Sequence, residues 1–152
     1  KDSFVNKNTI VLRPFNVFGP KMPNYLSISN FLDQLRSCMR ENQNTIEVGN
    51  LDVKRDFIFI DDFIHILWEI SENMNAYGHI YNVCSGVPIE LKEIVEYMIS
   101  KFDTKIEIKK TNARIRQGEM SVHYGDNQKL YKFLENISLL DWKKGIDRMI
   151  AC

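Results

Sequence analysis

Two arginine-containing stretches carry the side chains best suited to bind a phosphate group. The first is GNLDVKRDFIFIDD at residues 49–62, where Arg55 precedes an aromatic run and two aspartates. The second is RIRQGEM at residues 114–120, where Arg116 is followed by Glu119. A guanidinium is a planar fork of donors that fits phosphate oxygens, and a carboxylate accepts hydrogen bonds from sugar hydroxyls. Taken singly, each stretch is more typical of a solvated, charged surface, so phosphate binding needs further support.

The segment YMISK offers a different chemistry, because Tyr97 and Lys101 are four residues apart on a predicted helix. A tyrosine whose pKa is lowered by a lysine one turn away is a known general acid or base. Tyr97 also lies in a packing pattern with Ile94 and Ile99, and pairs at this spacing are common on amphipathic helices. We therefore interpret this pair as structural.

Several catalytic and metal-binding patterns are missing from the sequence. The seven glycines are scattered singly and form neither G-x-G-x-x-G nor a Walker loop. No nucleophile elbow is present, and the three histidines, His65, His79 and His123, are too far apart for a metal-binding pair. We expect Cys84, inside the apolar run of YNVCSG, to be a small core residue. The motifs searched for therefore point to no metal site and to no familiar catalytic centre within this chain.

Composition places the chain among ordinary folded domains. It has 152 residues, of which 44% are hydrophobic and 26% charged, and 20 basic residues balance 20 acidic ones. Zero net charge argues against nucleic acid or an anionic membrane as the main partner. The odd number of cysteines, three, with no paired spacing indicates a reducing compartment, and neither a membrane span nor a signal peptide is visible. We expect a cytoplasmic chain.

Hydrophobic periodicity and turn residues predict a mixture of helices and short strands, with a loop at 18–25. The predicted strands are 9–12, 45–48, 55–60, 78–84 and 105–110. The predicted helices begin at Ser27 or Ser29 and at Asp61 or Asp62, and cover 89–102, 127–134 and 141–150. Strands and helices alternate along the whole chain, which predicts an α/β or α+β domain.

Taken together, four segments resemble one enzyme family. These are VLRPFNVFGP, GNLDVKRDFIFIDD, YNVCSG and GDNQKL, spread over almost the whole chain. At these intervals they resemble the C-terminal half of an extended short-chain dehydrogenase/reductase of the NAD-dependent epimerase/dehydratase family. The residues of these segments are most similar to those of the members that act in GDP-deoxyhexose synthesis.

The resemblance implies an α/β fold that is the substrate-binding part of a Rossmann-type nucleotide-sugar enzyme, with the N-terminal cofactor fold absent. Residues 1–24 would be the end of the Rossmann domain and residues 25–152 the nucleotide-sugar-binding domain. NAD or NADP would be bound mostly by the absent domain, together with Arg13, Pro14 and Phe15.

The resemblance also implies a set of substrate-binding residues. Arg55 and Arg116 would hold the diphosphate, Glu119 would accept from ribose hydroxyls, and Asn16 would bond to the nucleotide sugar near the nicotinamide. The family more often has aspartate where this chain has Glu119, and the longer side chain makes the ribose contact less certain. The other implied contacts lie at a helix start and on a strand beside the base: Ser27, Ile28, Ser29, Ile46 and Val48.

Three functions stay open at this stage. The first is the nucleotide-sugar-binding portion of an NAD(P)-dependent reductase, epimerase or dehydratase, inactive alone and possibly homodimeric in its full-length parent, with a GDP-hexose favoured. The second is a non-catalytic nucleotide-binding module. The third is a structural fragment that keeps the fold without the ligand.

Overall fold

A computed structural model describes residues 8–102, 105–115, 118–134 and 137–152. The strands of this part are β1 (Val11–Pro14), β2 (Asn16–Phe18), β3 (Thr45–Val48), β4 (Lys54–Phe59), β5 (Ile80–Val83), β6 (Pro88–Glu90), β7 (Glu107–Lys110) and β8 (Val122–His123). Its α-helices are α1 (Ser27–Glu41), α2 (Ile60–Glu72), α3 (Leu91–Ile99), α4 (Gln128–Tyr131) and α5 (Trp142–Ile150). This mixture of small sheets and helices confirms the predicted α/β class.

Strand β4 is the centre of the largest sheet. Its second half pairs in parallel with β2, and its first half pairs antiparallel with β6 and in parallel with β8. Two further parallel pairs, β1 with β5 and β3 with β7, flank this sheet. Because β4 contacts three strands, residues from distant parts of the sequence meet around its first half.

Two hydrophobic clusters form the core. The larger cluster joins α1, α3 and α5 to β3 and β4, and the smaller one joins α2 and α4 to β5. In the larger cluster Phe18 packs edge-on against Phe57 and Phe59. A Cβ at Gly145 would lie 2.7 Å from the Phe18 ring, so this glycine lets α5 approach the sheet closely.

The first helix begins differently from the prediction. Leu26 occupies the N-cap position of α1, and neither Ser27 nor Ser29 caps the helix. The Ser29 hydroxyl instead donates to the backbone carbonyls of Pro23 and Leu26. The serine therefore fixes the loop that leads into the helix, because its side chain lies within the first turn.

The start of α2 shows a similar difference. Phe59 is its N-cap residue, and Asp61 and Asp62 both lie inside the first turn. Their negative charges stabilise the helix, because the N-terminal end of the helix dipole is positive. Asp62 accepts the backbone N–H of Leu140, and Asp61 pairs with Arg148. The aspartates thus mark the start of the helix without capping it.

The predicted helix at 89–102 is shorter than its periodicity indicates. Residues 88–90 form β6, whose pairing with β4 overrides the helical pattern, and α3 begins only at Leu91. The three-residue strand β2 and the two-residue strand β8 are too short for any periodicity to reveal. None of the described helices is long and apolar enough to cross a membrane.

Candidate functional site

A cleft of about 530 Å³ lies where β2, β3 and β4 meet the start of α1. Its apolar lining includes Leu26, Phe31, Val48, Leu51, Phe57 and Ile115. Its polar lining includes Asn16, Ser27, Asn30, Arg55, Arg114 and Glu119. Polar and apolar side chains line this cleft alike, and its volume lies in the range that is usual for a small-molecule site.

Arg55 is held tightly on one wall of this cleft. Its Nη2 donates to Glu119 Oε1 at 3.0 Å, and its Nη1 donates to the backbone carbonyls of Lys54 and Met120. The two charged side chains are only 16% and 21% exposed, so water screens their attraction incompletely. An anion that enters the cleft must share the guanidinium with Glu119 or displace the carboxylate.

Asn16 lies beside Arg55 because β2 and β4 are neighbours. Asn16 is in register with Phe57, and its side-chain Nδ2 donates to the backbone carbonyl of Asp56 at 2.7 Å. This bond fixes the amide plane at the cleft. It joins Asn16 to Asp56, which are 40 positions apart in the sequence.

Asp56 is fully buried behind Arg55 and holds two loops. Its carboxylate accepts the Ser85 N–H and hydroxyl, both at 2.7 Å, the Gly86 N–H at 2.9 Å and the Gly125 N–H at 3.2 Å. Hydrogen bonds to a carboxylate are stronger than neutral ones. Alternation along β4 is the sequence signal for this residue, since it places Asp56 on the opposite face from Arg55.

Arg114 is a cleft residue that the sequence interpretation missed. It is the last residue of a short 3₁₀ turn at 112–114, and its Nη1 donates to Asn30 Oδ1 at 2.8 Å. A Cβ at Gly49 would overlap the carbonyl oxygen of Arg114, so the glycine permits this close approach. The segment RIRQGEM was singled out for Arg116, but Arg116 lies outside the described residues.

The other residues predicted to bind substrate divide into two groups. Ser27 and Val48 line the cleft. Ile28, Ser29 and Ile46 are buried behind it and are not part of its lining. The same elements therefore form the cleft wall, and only the side chains on one face of each element line it.

The residues predicted to contact the cofactor lie at the end of β1. Arg13 and Pro14 are exposed. The Phe15 ring stacks on His123, with ring centroids 5.0 Å apart. It also packs so closely against Gly125 that a Cβ at this glycine would lie 2.7 Å from the ring. The Phe15 side chain is thus engaged in packing within the chain. The contact of these three residues with the cofactor stays a prediction.

Tyr97 and Lys101 lie apart from the cleft. The Tyr97 hydroxyl donates to the carboxylate of Asp147, and Lys101 pairs with the same carboxylate at 2.8 Å. The Lys101 ammonium also lies 4.5 Å from the centre of the Tyr97 ring. The two side chains therefore connect α3 to α5, which agrees with the structural role that we inferred for them from the sequence.

The buried thiol of Cys84 is also unsuited to chemistry. Burial, and then the charge of Asp56, raises the pKa of Cys84 to about 11, so it stays protonated at neutral pH. Within the described residues, no group of histidine, cysteine, aspartate and glutamate side chains is arranged to hold a metal ion.

Comparison with known proteins identifies the fold and its relatives. The NAD dependent epimerase/dehydratase family matches residues 2–84. GDP-6-deoxy-D-mannose reductase of Pseudomonas aeruginosa is 31% identical over 80% of this chain, and GDP-6-deoxy-D-talose 4-dehydrogenase of Aggregatibacter actinomycetemcomitans is 29% identical over 83%. The chain spans 40% and 41% of the length of these two relatives.

A solved structure shows the same architecture. The protein RMD from Pseudomonas aeruginosa, complexed with NADPH, superposes with a TM-score of 0.83 at 25% identity. The match covers 93% of this chain and 47% of that chain. The resemblance seen in the sequence and the partial Rossmann-like fold are both confirmed.

Proposed function

The chain belongs to the NAD dependent epimerase/dehydratase family, and on that premise we propose that it is the nucleotide-sugar-binding portion of a reductase, epimerase or dehydratase. We further propose a GDP-deoxyhexose as the substrate, because two of the curated relatives carry GDP-6-deoxyhexoses in their names. The observation that carries the proposal is Arg55, held at a cleft between Asn16 and the start of α1.

The diphosphate is the part of the substrate that Arg55 would hold. Its guanidinium contributes five N–H donors, and three of them already bond to acceptors among the described residues. These bonds orient the fork before a ligand arrives, which lowers the entropic cost of binding. Ser27, at the positive end of α1, lies on the same cleft and favours the same charge.

Glu119 would take part in the same event. In the structure it neutralises Arg55, and a diphosphate would compete for that guanidinium. A displaced carboxylate then becomes an acceptor for ribose hydroxyls, which is the role the family resemblance implies. Arg116 as a second diphosphate ligand, and residues 25–152 as the substrate domain, belong to the same proposal.

We propose that this chain alone does not catalyse. NAD or NADP supplies hydride transfer in this family, but the residues at 13–15 do not make a complete site for it. The Tyr97 and Lys101 pair lies apart from the cleft. No hydride or proton step is therefore assigned to residues of this chain, and a cytoplasmic location and a homodimeric parent stay predictions.

The proposal is tested by titrating the chain with GDP in a calorimeter. Arg55→Gln removes the charge-assisted bonds and should weaken GDP binding by about tenfold or more. Lys54→Gln is the matched control, because this substitution removes the same charge one residue away. Lys54 pairs with Glu90, outside the cleft. The control substitution should leave the affinity unchanged.

Two outcomes would contradict the proposal. If neither GDP, UDP nor dTDP binds the wild-type chain, the structural function is favoured. If the purified chain turns over a GDP-hexose with NADPH, the inactive-portion interpretation is wrong. A chain that binds nucleotides without their sugars would instead favour the non-catalytic nucleotide module.

A further inference from the structure

Arg114 gives the cleft a second guanidinium that enters from a different side than Arg55. Arg55 projects from β4, next to Asn16 of β2. Arg114 comes from the turn after β7 and lines the cleft with Gly49 and Asn50, which follow β3. A ligand that contacts Arg55 with its diphosphate would therefore extend another part toward Arg114.

A chain of hydrogen bonds holds the Arg114 side chain in place. Asn30 Oδ1 accepts from Arg114 at 2.8 Å and also from Gln34 Nε2 at 2.8 Å. The Gln34 amide in turn bonds to both the N–H and the carbonyl of Glu47 on β3. An exposed arginine is thus anchored through α1 to a strand of the core.

The backbone of Arg114 is fixed as well. Its N–H donates to the Thr111 carbonyl at 3.1 Å, and the Thr111 N–H donates to the Val48 carbonyl at 2.9 Å. The missing side chain of Gly49 lets the Arg114 carbonyl pack directly against the end of β3. Backbone and side chain are therefore both positioned before any ligand binds.

The surroundings of Arg114 suit a flat, uncharged ring better than a phosphate. Ile115, which is 38% exposed, offers apolar surface there, and Asn30 and Asn50 offer amides in place of further cations. Among the described residues, the bond to Asn30 is the hydrogen bond that the Arg114 side chain makes, and it uses one of five N–H donors. Resting on the proposed function, we propose that Arg114 reads the base of the nucleotide and selects guanine.

Guanine is the base whose edge matches this donor set. It presents two neighbouring acceptors, O6 and N7, to which arginine donates in a bidentate manner. Adenine presents N7 beside an amino group, which repels one arm of the fork. A glutamine at the same place has the opposite preference, since its amide pairs with the adenine N6 and N7.

The proposal is tested by titrating GDP, ADP and UDP into wild-type chain, Arg114→Gln and Lys110→Gln. Arg114→Gln should weaken GDP binding by about tenfold or more while ADP binding stays the same or tightens. Lys110→Gln is the matched control, because it removes the same charge nearby. Lys110 pairs with exposed Asp52, and neither residue lines the cleft. Its variant should bind all three nucleotides as the wild type does.

Each other outcome overturns the base-reading role. An equal loss for GDP, ADP and UDP in Arg114→Gln makes Arg114 a phosphate contact and leaves the proposed function intact. Unchanged GDP binding in that variant, or wild-type chain that binds ADP as tightly as GDP, removes Arg114 from base selection. Wild-type chain that binds no nucleotide overturns the proposed function and this inference together.

Discussion

Asp56 shows how one buried side chain can determine the shape of a site that it does not touch. Its carboxylate accepts four hydrogen bonds from Ser85, Gly86 and Gly125. Its own backbone carbonyl accepts from Asn16, and its neighbour in sequence is Arg55. The same residue thus joins the turn after β5 and the segment after β8 to the wall of the cleft.

Replacing Asp56 should therefore cost far more than replacing an exposed aspartate. Asp56→Asn puts an amide N–H₂ where donors now converge, and we expect the free energy of unfolding to fall by about 3 kcal/mol. Urea unfolding followed by circular dichroism measures this change. Asp52→Asn, at an exposed ion pair, is the control and should change it by less than about 0.5 kcal/mol. Equal effects of the two variants would show that the buried network contributes little.

Residue chemistry predicted part of the site from the sequence. The sequence pointed to Arg55 for its phosphate chemistry and to Glu119 for its sugar chemistry, and the structure brings the two side chains together at the cleft. The ion pair between them was not predicted, because their contact depends on β4 and β8 meeting. Arg114 was missed for the same reason, since its role depends on Asn30 and Gly49, which are distant in sequence.

At the scale of elements, the contact between α3 and α5 is the clearest case of a side-chain network between helices. Asp147 of α5 accepts from Tyr97 and pairs with Lys101, both on or next to α3. The hydrogen bond from Lys101, with that from Tyr97, holds the pKa of Asp147 below its ordinary value of 3.8. The bond to Asp147 likewise raises the pKa of Lys101 above 10.5.

These shifts fix the sign of a pH dependence. A lowered pKa in the folded state gives Asp147 a stabilising contribution above about pH 4, which is lost as the pH falls through the folded value. The raised pKa of Lys101 gives a contribution that is lost only as the pH rises through its own folded value. We expect Asp147→Asn to lower the Tm at about pH 6 and the difference from wild type to shrink toward about pH 3.

Thermal unfolding across this pH range measures the effect. Glu96→Gln is the control, because Glu96 forms an exposed pair with Lys92 on the solvent side of α3. It should change the Tm little at any pH. A Tm difference for Asp147→Asn that stays constant down to about pH 3 would assign the effect to packing instead of charge.

Sequence periodicity predicted where most elements lie, but not all of their ends. The strand at 45–48 has the bounds that the sequence predicted, and the helices predicted at 127–134 and 141–150 contain α4 and α5. The residues of strand β6 were predicted to be helical, because the pairing of β6 with β4 is a tertiary contact that periodicity does not reveal. Helix starts shifted where aspartates and serines lie inside the first turn.

At the scale of the whole molecule, one surface of helix α2 lies outside both hydrophobic clusters. Ile64, Leu67 and Trp68 form the α2 stripe, and they are 55%, 46% and 69% exposed. Their spacing of three and four residues makes them neighbours on the helix surface. The opposite face of α2 is buried through Ile66 and Ile70.

An exposed apolar stripe of this kind favours association between copies of the chain. We expect the weight-average mass of the wild-type chain, measured by light scattering during gel filtration, to rise with protein concentration. Leu67→Lys with Trp68→Lys should keep the chain monomeric over the same range, because two charges would have to be desolvated in any contact through the α2 stripe. The double variant should retain its Tm, since both side chains already face water. Met39→Lys, at an exposed apolar residue on α1, is the control and should associate as the wild type does. A wild-type chain that stays monomeric at every concentration would show that this stripe is tolerated as ordinary surface.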